Sequence, residues 1–563
     1  MEMIIRMAVF LPLVLSAQLT VAANAPTHAN NGMVVSANTL ASDIGAEVLR
    51  DGGSAMDATV ATAFALAVTH PSAGNLGGGG FLIYRSSEGE SVAYDFREVA
   101  PLASDPEMWL VDGKYSFEKH HMSYQSVGVP GTVRGLHLGW LDQGKLPWKR
   151  LVKPAIRLAR DGIPVTHGLA RSLKRHLPRM EKYPATMAQF SNKGEPLVAG
   201  DLLRQSDLAR TLQRIANKGP DGFYKGKTAE LIVQEMERNG GLITLADLAA
   251  YKAKKRVPTS GTYRGYEIIS MPPPSSGGTA LVEMLNILEG YDLTESGFGT
   301  TVTLHRMVEA MRRAFHDRAR FMGDPDFNAA MPLAKLTSKE YAEELRSSID
   351  PGTASVSNPE SFSLPKEGPS TTHFSVVDKD QNAASLTYTL EWSYGSGIVV
   401  TGAGFLLNNE MGDFNAGPGL TDSQGLIGTP ANLAEPGKRM LSSMTPTIVA
   451  KDGELFMVTG TPGGRTIINT VLQTVVNVID HGMGAQAAVD AGRVHHQWLP
   501  DMMRYEEPGF SKDSLKGLAA MGHKMKTGSY PQGSAEVIVV NGDQGGLDGG
   551  VDRRVPDGGV SGY

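Results

Sequence analysis

A β-hairpin pattern in the second half of the chain limits the folds that this sequence can adopt. Apolar and polar residues alternate over Thr371–Val377 and again over Ala383–Leu390, and the residues between them, 378–382 (DKDQN), are typical of a turn. A second pair of strands is predicted at Thr445–Ala450 and Leu455–Thr459. Because strand pairs and helices occupy separate blocks, the pattern favours layered antiparallel sheets with helices over one βαβ sheet.

Hydrophobic periodicity predicts the other elements of this layered fold. A spacing of 3.6 residues predicts helices at Leu40–Leu49, Ala55–Val68, Leu151–Ala159, Thr228–Glu237, Thr279–Leu288, Leu304–Phe321 and Thr466–Ile479. Short apolar runs predict strands at Phe81–Tyr84, Ser91–Asp95, Ile268–Ser270 and Ala535–Val540. The segment Ser347–Ser370 is rich in Ser and Pro, which indicates either a long exposed or mobile segment or an ordinary linker between domains.

Composition excludes several classes of protein. The chain has 563 residues and no cysteine, which rules out disulfides, thiolate zinc sites, iron–sulfur clusters and a cysteine nucleophile. With 53 basic against 59 acidic residues, it lacks the charge signature of nucleic-acid binding. Its length favours about three to four domains, although one large α/β unit can also be this long.

The first 25 residues have the pattern of a secretory signal peptide. Arg6 supplies the positive charge, residues 8–15 form an apolar run, and small residues suit cleavage after Ala23 or Ala25. The run is too short to span a bilayer, and no later stretch has about 18 unbroken apolar residues. We therefore expect an exported protein, periplasmic or secreted, and the alternative is an uncleaved N-terminal anchor.

Familiar cofactor and metal motifs are not found. The segment Gly222–Thr228 is one residue short of a phosphate loop, and Gly77–Gly80 lacks the third glycine of a dinucleotide fingerprint. The pairs His120-His121 and His495-His496 have no second ligand at helical spacing, so we expect surface or core histidines. No cofactor and no metal are predicted.

Thr371 is the strongest candidate for a nucleophile, because it opens the hairpin directly after the Pro-rich segment. If the Ser370–Thr371 bond were cut, Thr371 would carry a free α-amine, whose pKa near ~7.7–8.0 leaves part of it neutral at pH 7. The nucleophile and its base then lie on one residue. The simpler alternative is that Thr371 and Thr372 are only β-branched strand residues.

Longer motifs favour the nucleophile. The sequence from Thr371 to Phe414, which ends in LNNEMGDF, resembles the γ-glutamyltransferase family of N-terminal-nucleophile hydrolases. The resemblance extends to Lys438–Pro446, Gly460–Gly464, Gly32–Gly80, Asp95–Glu98 and Pro272–Gly278. It covers nearly the whole chain after the signal peptide.

The resemblance implies an α+β fold, a four-layer αββα sandwich built from two intertwined subunits of one precursor. Self-cleavage before Thr371 is implied to yield a large subunit, 26–370, and a small catalytic subunit, 371–563. The Thr371 hydroxyl then attacks the γ-glutamyl amide of glutathione or a related compound, and the acyl group passes to water or to an amine. The implied partners are γ-glutamyl compounds, amino-acid or dipeptide acceptors and the other subunit of the heterodimer, without nucleic acid or a stable membrane span.

The same resemblance implies catalytic roles near the nucleophile. Thr389, on the paired strand, matches a second threonine whose hydroxyl supports Thr371. Gly463 and Gly464 open a helix, so their N–H groups and the helix dipole are suited to stabilising an oxyanion. Both glycines also suit a tight turn without any catalytic role.

A γ-glutamyl substrate also needs groups that bind its α-carboxylate and α-ammonium. Arg97 offers a fork of donors for the carboxylate, and Ser442 and Ser443 add hydroxyls. Glu410 and Asp413 match the family's acceptors for the ammonium. Taken singly, an arginine is more often a surface charge and an acidic pair more often a solvated face.

Glu391 departs from the family pattern, in which asparagine is common at this position. A third carboxylate directed inward is expected to strengthen ammonium binding, and like charges together raise a carboxyl pKa. One alternative function is a related acylase of glutaryl or cephalosporin type. It is disfavoured because an amine-free acyl group is expected to leave Glu391, Glu410 and Asp413 without a cation. A remote alternative is an inactive secreted binding protein, which is expected to have lost the nucleophile.

The segment Asn415–Gly437 is long enough for the substrate-covering lid of bacterial family members. Gln424 lies near the place where some of them carry an aromatic gate. The sequence therefore does not decide whether the lid closes. The preference for water or an amine as acceptor also stays open at this point.

Overall fold

A computed structural model of the chain describes residues 24–358, 370–420, 428–528, 531–541 and 545–563. The predicted signal peptide, apart from its last two residues, lies outside these ranges, and so do residues 359–369 of the Pro-rich segment and Gln424. None of the helices in these ranges has the length and apolar character needed to cross a bilayer.

Two seven-stranded sheets form the centre of the fold. Sheet I has the strand order Lys254–Arg256, Ser91–Asp95, Gly79–Arg85, Ala383–Glu391, Ser370–Val377, Met33–Ser36, Gly559–Gly562. Sheet II has the order Thr27–Ala29, Leu547–Val551, Glu536–Val540, Glu454–Gly460, Thr447–Lys451, Tyr266–Ser270, Thr259–Tyr263. All described pairings within both sheets are antiparallel, so the prediction of antiparallel sheets over one βαβ sheet is confirmed.

Alternate residues of the sheet I strands belong to two different hydrophobic cores, because successive side chains of a strand point to opposite faces. Val34 and Leu82 pack with the helices outside sheet I. Their neighbours Val35 and Ile83 pack with residues of sheet II. Sheet I is therefore covered by helices on one face and by sheet II on the other.

Helices complete the outer layers. Thr39–Arg50 and Ala55–Thr69 contact sheet I, and Gly277–Glu289 and Thr466–Ile479 contact sheet II. The implied four-layer αββα sandwich is confirmed. Both sheets contain strands from before and after residue 371, so the chain is one interleaved unit and not the string of separate domains that its length favours.

The predicted elements are found close to their expected bounds. The helix Thr466–Ile479 agrees at both ends, whereas the strand expected to start at Thr445 starts at Thr447, just after a proline that cannot donate to a ladder. The other long helices are Thr132–Gln143, Trp148–Asp161, His167–His176, Ser206–Lys218, Gly226–Asn239, Thr301–Phe321, Lys339–Ser347 and Lys512–Ala520.

Candidate active site

One small cavity, of about 20 Å³, is lined by nine of the ten site residues predicted from the sequence. These nine are Thr371, Thr389, Gly464, Arg97, Glu391, Glu410, Asp413, Ser442 and Ser443. Gly463 is not among the lining residues. Met444 and Ile467 also line the cavity and were not predicted, because their side chains carry no chemical signal beyond their nearness to Ser443 and Gly464 in sequence.

Thr371 lines the cavity from the strand Ser370–Val377. Its Oγ1 donates to Thr389 Oγ1 at 3.4 Å, and Thr389 Oγ1 accepts the backbone N–H of Glu391 at 2.8 Å. The next residue, Thr372, is directed to the opposite face, where its buried Oγ1 has no hydrogen bond to any described atom. Of the two adjacent threonines, only Thr371 reaches the cavity.

The pairing of this strand shifts register at the Ser370–Thr371 bond. Ser370 pairs with Glu391 and Thr371 pairs with Thr389, so that Leu390 has no partner across the ladder. An irregularity of this kind bends a strand and redirects its side chains. The bond that the resemblance marks for cleavage thus lies at an interruption of the sheet.

Arg97 is positioned by the end of the strand Ser91–Asp95. Its backbone N–H donates to Asp95 Oδ1 at 3.0 Å. Its guanidinium is buried and donates to the carbonyl oxygens of Met440 and Leu441 at 3.3 and 3.2 Å. The side chain therefore has little freedom to leave the cavity.

The guanidinium of Arg97 also forms ion pairs with Glu410 and Asp413, and Glu98 Oε2 lies 3.8 Å from its Nη1. Burial raises the pKa of Glu410 and of Glu98 to about 8, although Arg97 acts to lower both. Burial likewise opposes the charge of Arg97, but the three carboxyl groups raise the pKa of Arg97 above its usual range. Among the described residues, Arg97 is the cation that these three carboxyl groups share.

This arrangement differs from the expectation that Arg97 and the two acids serve separate substrate groups. Because Arg97 pairs with Glu410 and Asp413, these two residues have a cation even when an acyl group lacks an amine. The sequence argument against an acylase considered only the substrate amine as the cation for this pair, and Arg97 is a second one. In the sequence, Glu98 was noted only as part of a motif. Its carboxyl group matters because it is buried, and burial cannot be predicted from the neighbouring residues in sequence.

Ser442 and Ser443 connect the cavity to a distant part of the chain. The carbonyl oxygen of Ser442 accepts hydrogen bonds from Ser276 Oγ at 2.7 Å and Ser276 N at 2.8 Å. Arg318 donates to Ser443 Oγ at 3.0 Å and to Ser276 Oγ at 2.8 Å. Arg318 was not predicted as a residue near the site, because in the sequence it looks like any other polar residue of a long amphipathic helix.

Gly463 and Gly464 precede the helix Thr466–Ile479, as expected. Their φ angles are +137° and +58°, within the region that favours glycine. Gly464 and Ile467 both line the cavity, so the positive end of this helix dipole is adjacent to it. The arrangement is suited to stabilising a negative charge, and the oxyanion role of the two glycines stays a prediction.

Glu391 lines the cavity, which is the orientation on which its expected effect depends. It ends the strand Ala383–Glu391 with a φ of +74°, which is uncommon for a residue other than glycine. Its Oε2 accepts a hydrogen bond from Asn409 Nδ2, and its Oε1 lies 3.6 Å from His121 Nδ1.

The predicted lid segment is described only at its two ends. Asn432 Nδ2 donates to the carbonyl oxygen of Asp413 at 2.7 Å, and Asn432 Oδ1 accepts the backbone N–H of Leu441 at 2.8 Å. These bonds tie the second end of the segment to two sides of the cavity. The lid itself stays a prediction, since its central residues lie outside the described ranges.

The histidine pairs singled out in the sequence are core residues, because His120, His121, His495 and His496 are all buried. Burial lowers the pKa of each below its usual value. They were expected to be surface or core residues, and the fold selects the second. None of the four lines the cavity, although His121 contacts Glu391 from behind.

One group within the described ranges, His305, Glu309 and His523, has ligand atoms close enough together for a metal ion. Its atoms already have partners. Glu309 accepts from Arg312 at 3.2 Å and from Arg313 at 2.6 Å, and His305 Nδ1 lies 2.8 Å from His523 Nε2. Two arginines on the carboxylate disfavour a divalent cation, so the group is better described as a buried hydrogen-bond network, and it is separate from the cavity.

Comparisons with known proteins extend these observations. The family described as gamma-glutamyltranspeptidase matches residues 41–562. A glutathione hydrolase proenzyme of Escherichia coli (strain K12) is 49% identical over 546 residues, which cover 96% of this chain and 93% of that protein.

Two solved structures are similar to this fold. The cephalosporin acylase from Bacillus halodurans has a TM-score of 0.85 at 28% identity, with 99% of both chains covered. The gamma-glutamyltranspeptidase of Helicobacter pylori has a TM-score of 0.55 at 46% identity, with 56% of this chain and 91% of that chain covered.

Proposed function

Because this chain belongs to the gamma-glutamyltranspeptidase family, we propose that it is a self-processing glutathione hydrolase that also transfers γ-glutamyl groups to amines. One observation carries the proposal: the hydroxyl of Thr371 shares a buried cavity with the ion pairs of Arg97 with Glu410 and Asp413. A hydroxyl nucleophile suits acyl transfer, and charges of both signs suit the zwitterionic end of an α-amino acid.

Self-cleavage before Thr371 is the first proposed step. Thr371 Oγ1 attacks the carbonyl carbon of Ser370, the peptide C–N bond breaks, and the released nitrogen takes up a proton while an ester forms. Water hydrolyses the ester, which leaves a carboxylate on Ser370 and a free α-amine on Thr371. The subunits 26–370 and 371–563 are expected to stay together, because strands from both contribute to each seven-stranded sheet.

Turnover uses the same hydroxyl. The neutral α-amine of Thr371 takes the hydroxyl proton, and Oγ1 attacks the γ-carbonyl carbon of the substrate amide. The leaving amine takes a proton and departs, and a γ-glutamyl ester remains. We assign the support of the hydroxyl to Thr389 and the stabilisation of the oxyanion to the N–H groups of Gly463 and Gly464. Water or an amino-acid or peptide amine then attacks the ester and restores Thr371.

An exchange of ion-pair partners accounts for substrate binding. The α-carboxylate of the substrate binds Arg97 with the hydroxyls of Ser442 and Ser443, and the α-ammonium takes the place of Arg97 beside Glu410 and Asp413. Each buried charge thus keeps a partner of opposite sign. A glutaryl group engages Arg97 but brings no cation for the two acids, so it is expected to bind more weakly.

The acylase alternative rests on the fold shared with the Bacillus halodurans cephalosporin acylase, at a TM-score of 0.85. The charges of the cavity support the γ-glutamyl substrate instead. Three carboxyl groups, Glu391, Glu410 and Asp413, line the cavity with one arginine, which is the composition that suits a substrate bringing its own cation. We propose a periplasmic or secreted location, on the basis of the signal-peptide pattern in residues 1–25.

A denaturing gel tests the self-processing step. Scaling 60.1 kDa for 563 residues to 345 and 193 residues predicts bands near about 37 and about 21 kDa for the purified protein. Thr371→Ala is expected to stay as one chain, whereas Thr372→Ala, its matched neighbour on the opposite face, is expected to be cleaved. Wild-type protein that remains uncleaved in the same way as Thr371→Ala contradicts the proposal.

Matched donors test the substrate. The processed enzyme is expected to release aniline faster from a γ-glutamyl anilide than from the glutaryl anilide, which differs only in lacking the α-amine. Equal or faster release from the glutaryl compound would overturn the γ-glutamyl proposal in favour of the acylase.

A further inference from the structure

Three segments of the chain meet behind the carboxylate of Glu391. Gly412 lies in the short helix Glu410–Asp413, and a Cβ at this position would lie 2.3 Å from His121 Nδ1 and 3.3 Å from Glu391 Oε1. The first of these distances is too short for any side chain, so the missing Cβ is what lets the imidazole approach. His121 Nδ1 thereby lies 3.6 Å from Glu391 Oε1.

Aromatic rings hold His121 in place. The rings of Phe117 and His120 lie 4.6 and 4.4 Å from it, and Trp392 stacks on it at 5.5 Å with an interplanar angle of 11°. His121 is 2% exposed, and its Nδ1 makes no hydrogen bond to any described atom. A buried polar nitrogen without a hydrogen bond costs folding free energy, which suggests a functional reason for keeping it. The group that this nitrogen faces is Glu391.

The imidazole is neutral at the pH at which most enzymes work, because burial lowers the pKa of His121 to about 4. A protonated imidazole would cancel the charge of Glu391, whereas a neutral one presents only a dipole. Asn409 Nδ2 contacts the other oxygen, Oε2, with a second neutral donor. Both of these contacts support the carboxylate of Glu391 without neutralising it.

Building on the proposed function, we infer that His121 is a positioning residue for Glu391 and determines selectivity for donors that carry a free α-ammonium group. In its Nδ1–H tautomer the imidazole directs its dipole at Glu391 Oε1 and keeps this carboxyl group anionic in the cavity. Without that dipole, burial beside Glu410 and Asp413 favours the protonated form of Glu391 against the opposing charge of Arg179, and a protonated carboxyl group attracts an ammonium group less.

The γ-glutamyl and glutaryl anilides separate this role from general damage to the site. His121→Phe keeps the ring stack but removes the N–H. It is expected to raise KM for the γ-glutamyl anilide severalfold, because a dipole at 3.6 Å is weaker than a hydrogen bond, with little change in kcat and none in KM for the glutaryl anilide. His121→Asn places an amide near the position of Nδ1 and is expected to restore most of the selectivity.

Two further variants serve as controls. Gly412→Ala pushes the imidazole away from Glu391, so it is expected to lose the same selectivity as His121→Phe, and to add little when combined with His121→Ala, which frees the space. His120→Phe alters an equally buried neighbour that faces Met411 O at 3.0 Å, and it is expected to affect both donors alike.

The outcomes distinguish this inference from the proposed function. If the wild-type enzyme prefers the γ-glutamyl anilide and His121→Phe keeps the same preference, His121 has no role in selectivity. If the wild-type enzyme does not cleave the γ-glutamyl anilide at all, the proposed function itself fails. Loss of activity toward both donors in His121→Phe, without rescue in His121→Asn, identifies a purely structural residue and also overturns the inference.

Discussion

Replacing Arg97 by methionine tests the proposed exchange of ion pairs directly. The guanidinium is buried, pairs with Glu410 and Asp413, and lies 3.8 Å from Glu98. Methionine fills part of the same volume but removes the charge and all of the donors. The three carboxyl groups then lose the arginine that compensates them.

The size of the effect on stability follows from burial. Removing one partner of a buried ion pair costs about 3–5 kcal/mol of folding free energy when the other partner stays charged. Protonation of the unpaired carboxyl groups limits this loss of stability, because the free energy of protonating a group changes by about 1.4 kcal/mol for each unit between the pH and its pKa. The pKa of Glu98 is about 8 even with Arg97 present, and removing Arg97 raises the pKa of Glu98 and of Glu410 further, so both carboxyl groups hold protons at pH 7 in the variant. We expect a loss of about 3 kcal/mol at pH 7 and a larger one at pH 9.

The effect on substrate binding is separate. Hydrogen bonds to charged groups contribute about 1.5–3 kcal/mol each, so losing the arginine fork is expected to lower kcat/KM for a γ-glutamyl anilide about 10- to 150-fold. Most of the change is expected in KM, because Arg97 binds the α-carboxylate at a distance from the reacting carbonyl.

Arg493→Met is the matched control. Arg493 is also buried, pairs with Asp552 at 2.5 Å, donates to the carbonyl oxygens of Gln532 and Val489 at 2.9 and 2.8 Å, and does not line the cavity. Thermal denaturation is expected to show a loss of stability in both variants, whereas steady-state kinetics is expected to show a raised KM in Arg97→Met alone. A wild-type KM in Arg97→Met refutes the assignment of this residue to the substrate carboxylate.

Three further predictions concern stability. Between pH 6.5 and 8, Glu98 holds a proton in the folded state that the unfolded chain has released, so its contribution makes stability fall as pH rises. Glu98→Gln is expected to reduce this dependence of stability on pH by up to about 1.4 kcal/mol per pH unit in thermal melts taken across the window, and an unchanged dependence contradicts a raised pKa. Gly78→Ala places a Cβ 2.1 Å from the carbonyl oxygen of Thr389. It is expected to lower the melting temperature and to slow self-cleavage, as followed on a denaturing gel. Normal stability and processing contradict this packing. Glu283 is fully buried, and burial together with a neighbouring carboxyl group raises its pKa far above the usual value, so its side chain is neutral. Glu283→Gln is therefore expected to change folding stability by less than about 0.5 kcal/mol. A loss above about 2 kcal/mol indicates an ionised glutamate.

Much of the fold and the placing of most candidate residues in one cavity were predictable, for two different reasons. The hairpin Ser370–Val377 with Ala383–Glu391 and the helix Thr466–Ile479 follow from local periodicity, which depends on neighbours in sequence alone. Nine of the ten residues predicted for the site line one cavity, and they were selected because they belong to long motifs with a family resemblance. Arg318 and His121 were missed as site residues, since each acts through a partner more than 100 residues away.

The sequence by itself determined the chemistry that is possible. Without cysteine, the N-terminal nucleophile is limited to serine or threonine. The hairpin that follows the Pro-rich segment places Thr371 directly after the bond at which cleavage is predicted. Alternating strands in separate blocks determined antiparallel layers. These properties depend on residue type and on spacing along the chain, which folding does not change.

Tertiary structure decided how these groups act together. It directs Thr371 into the cavity and Thr372 away from it, pairs Arg97 with two acids, and brings His121 against Glu391 where Gly412 leaves space. The physical reason is that burial and pairing set the free energy of a charge. Both depend on residues that are far apart in sequence and adjacent only after the two sheets have packed.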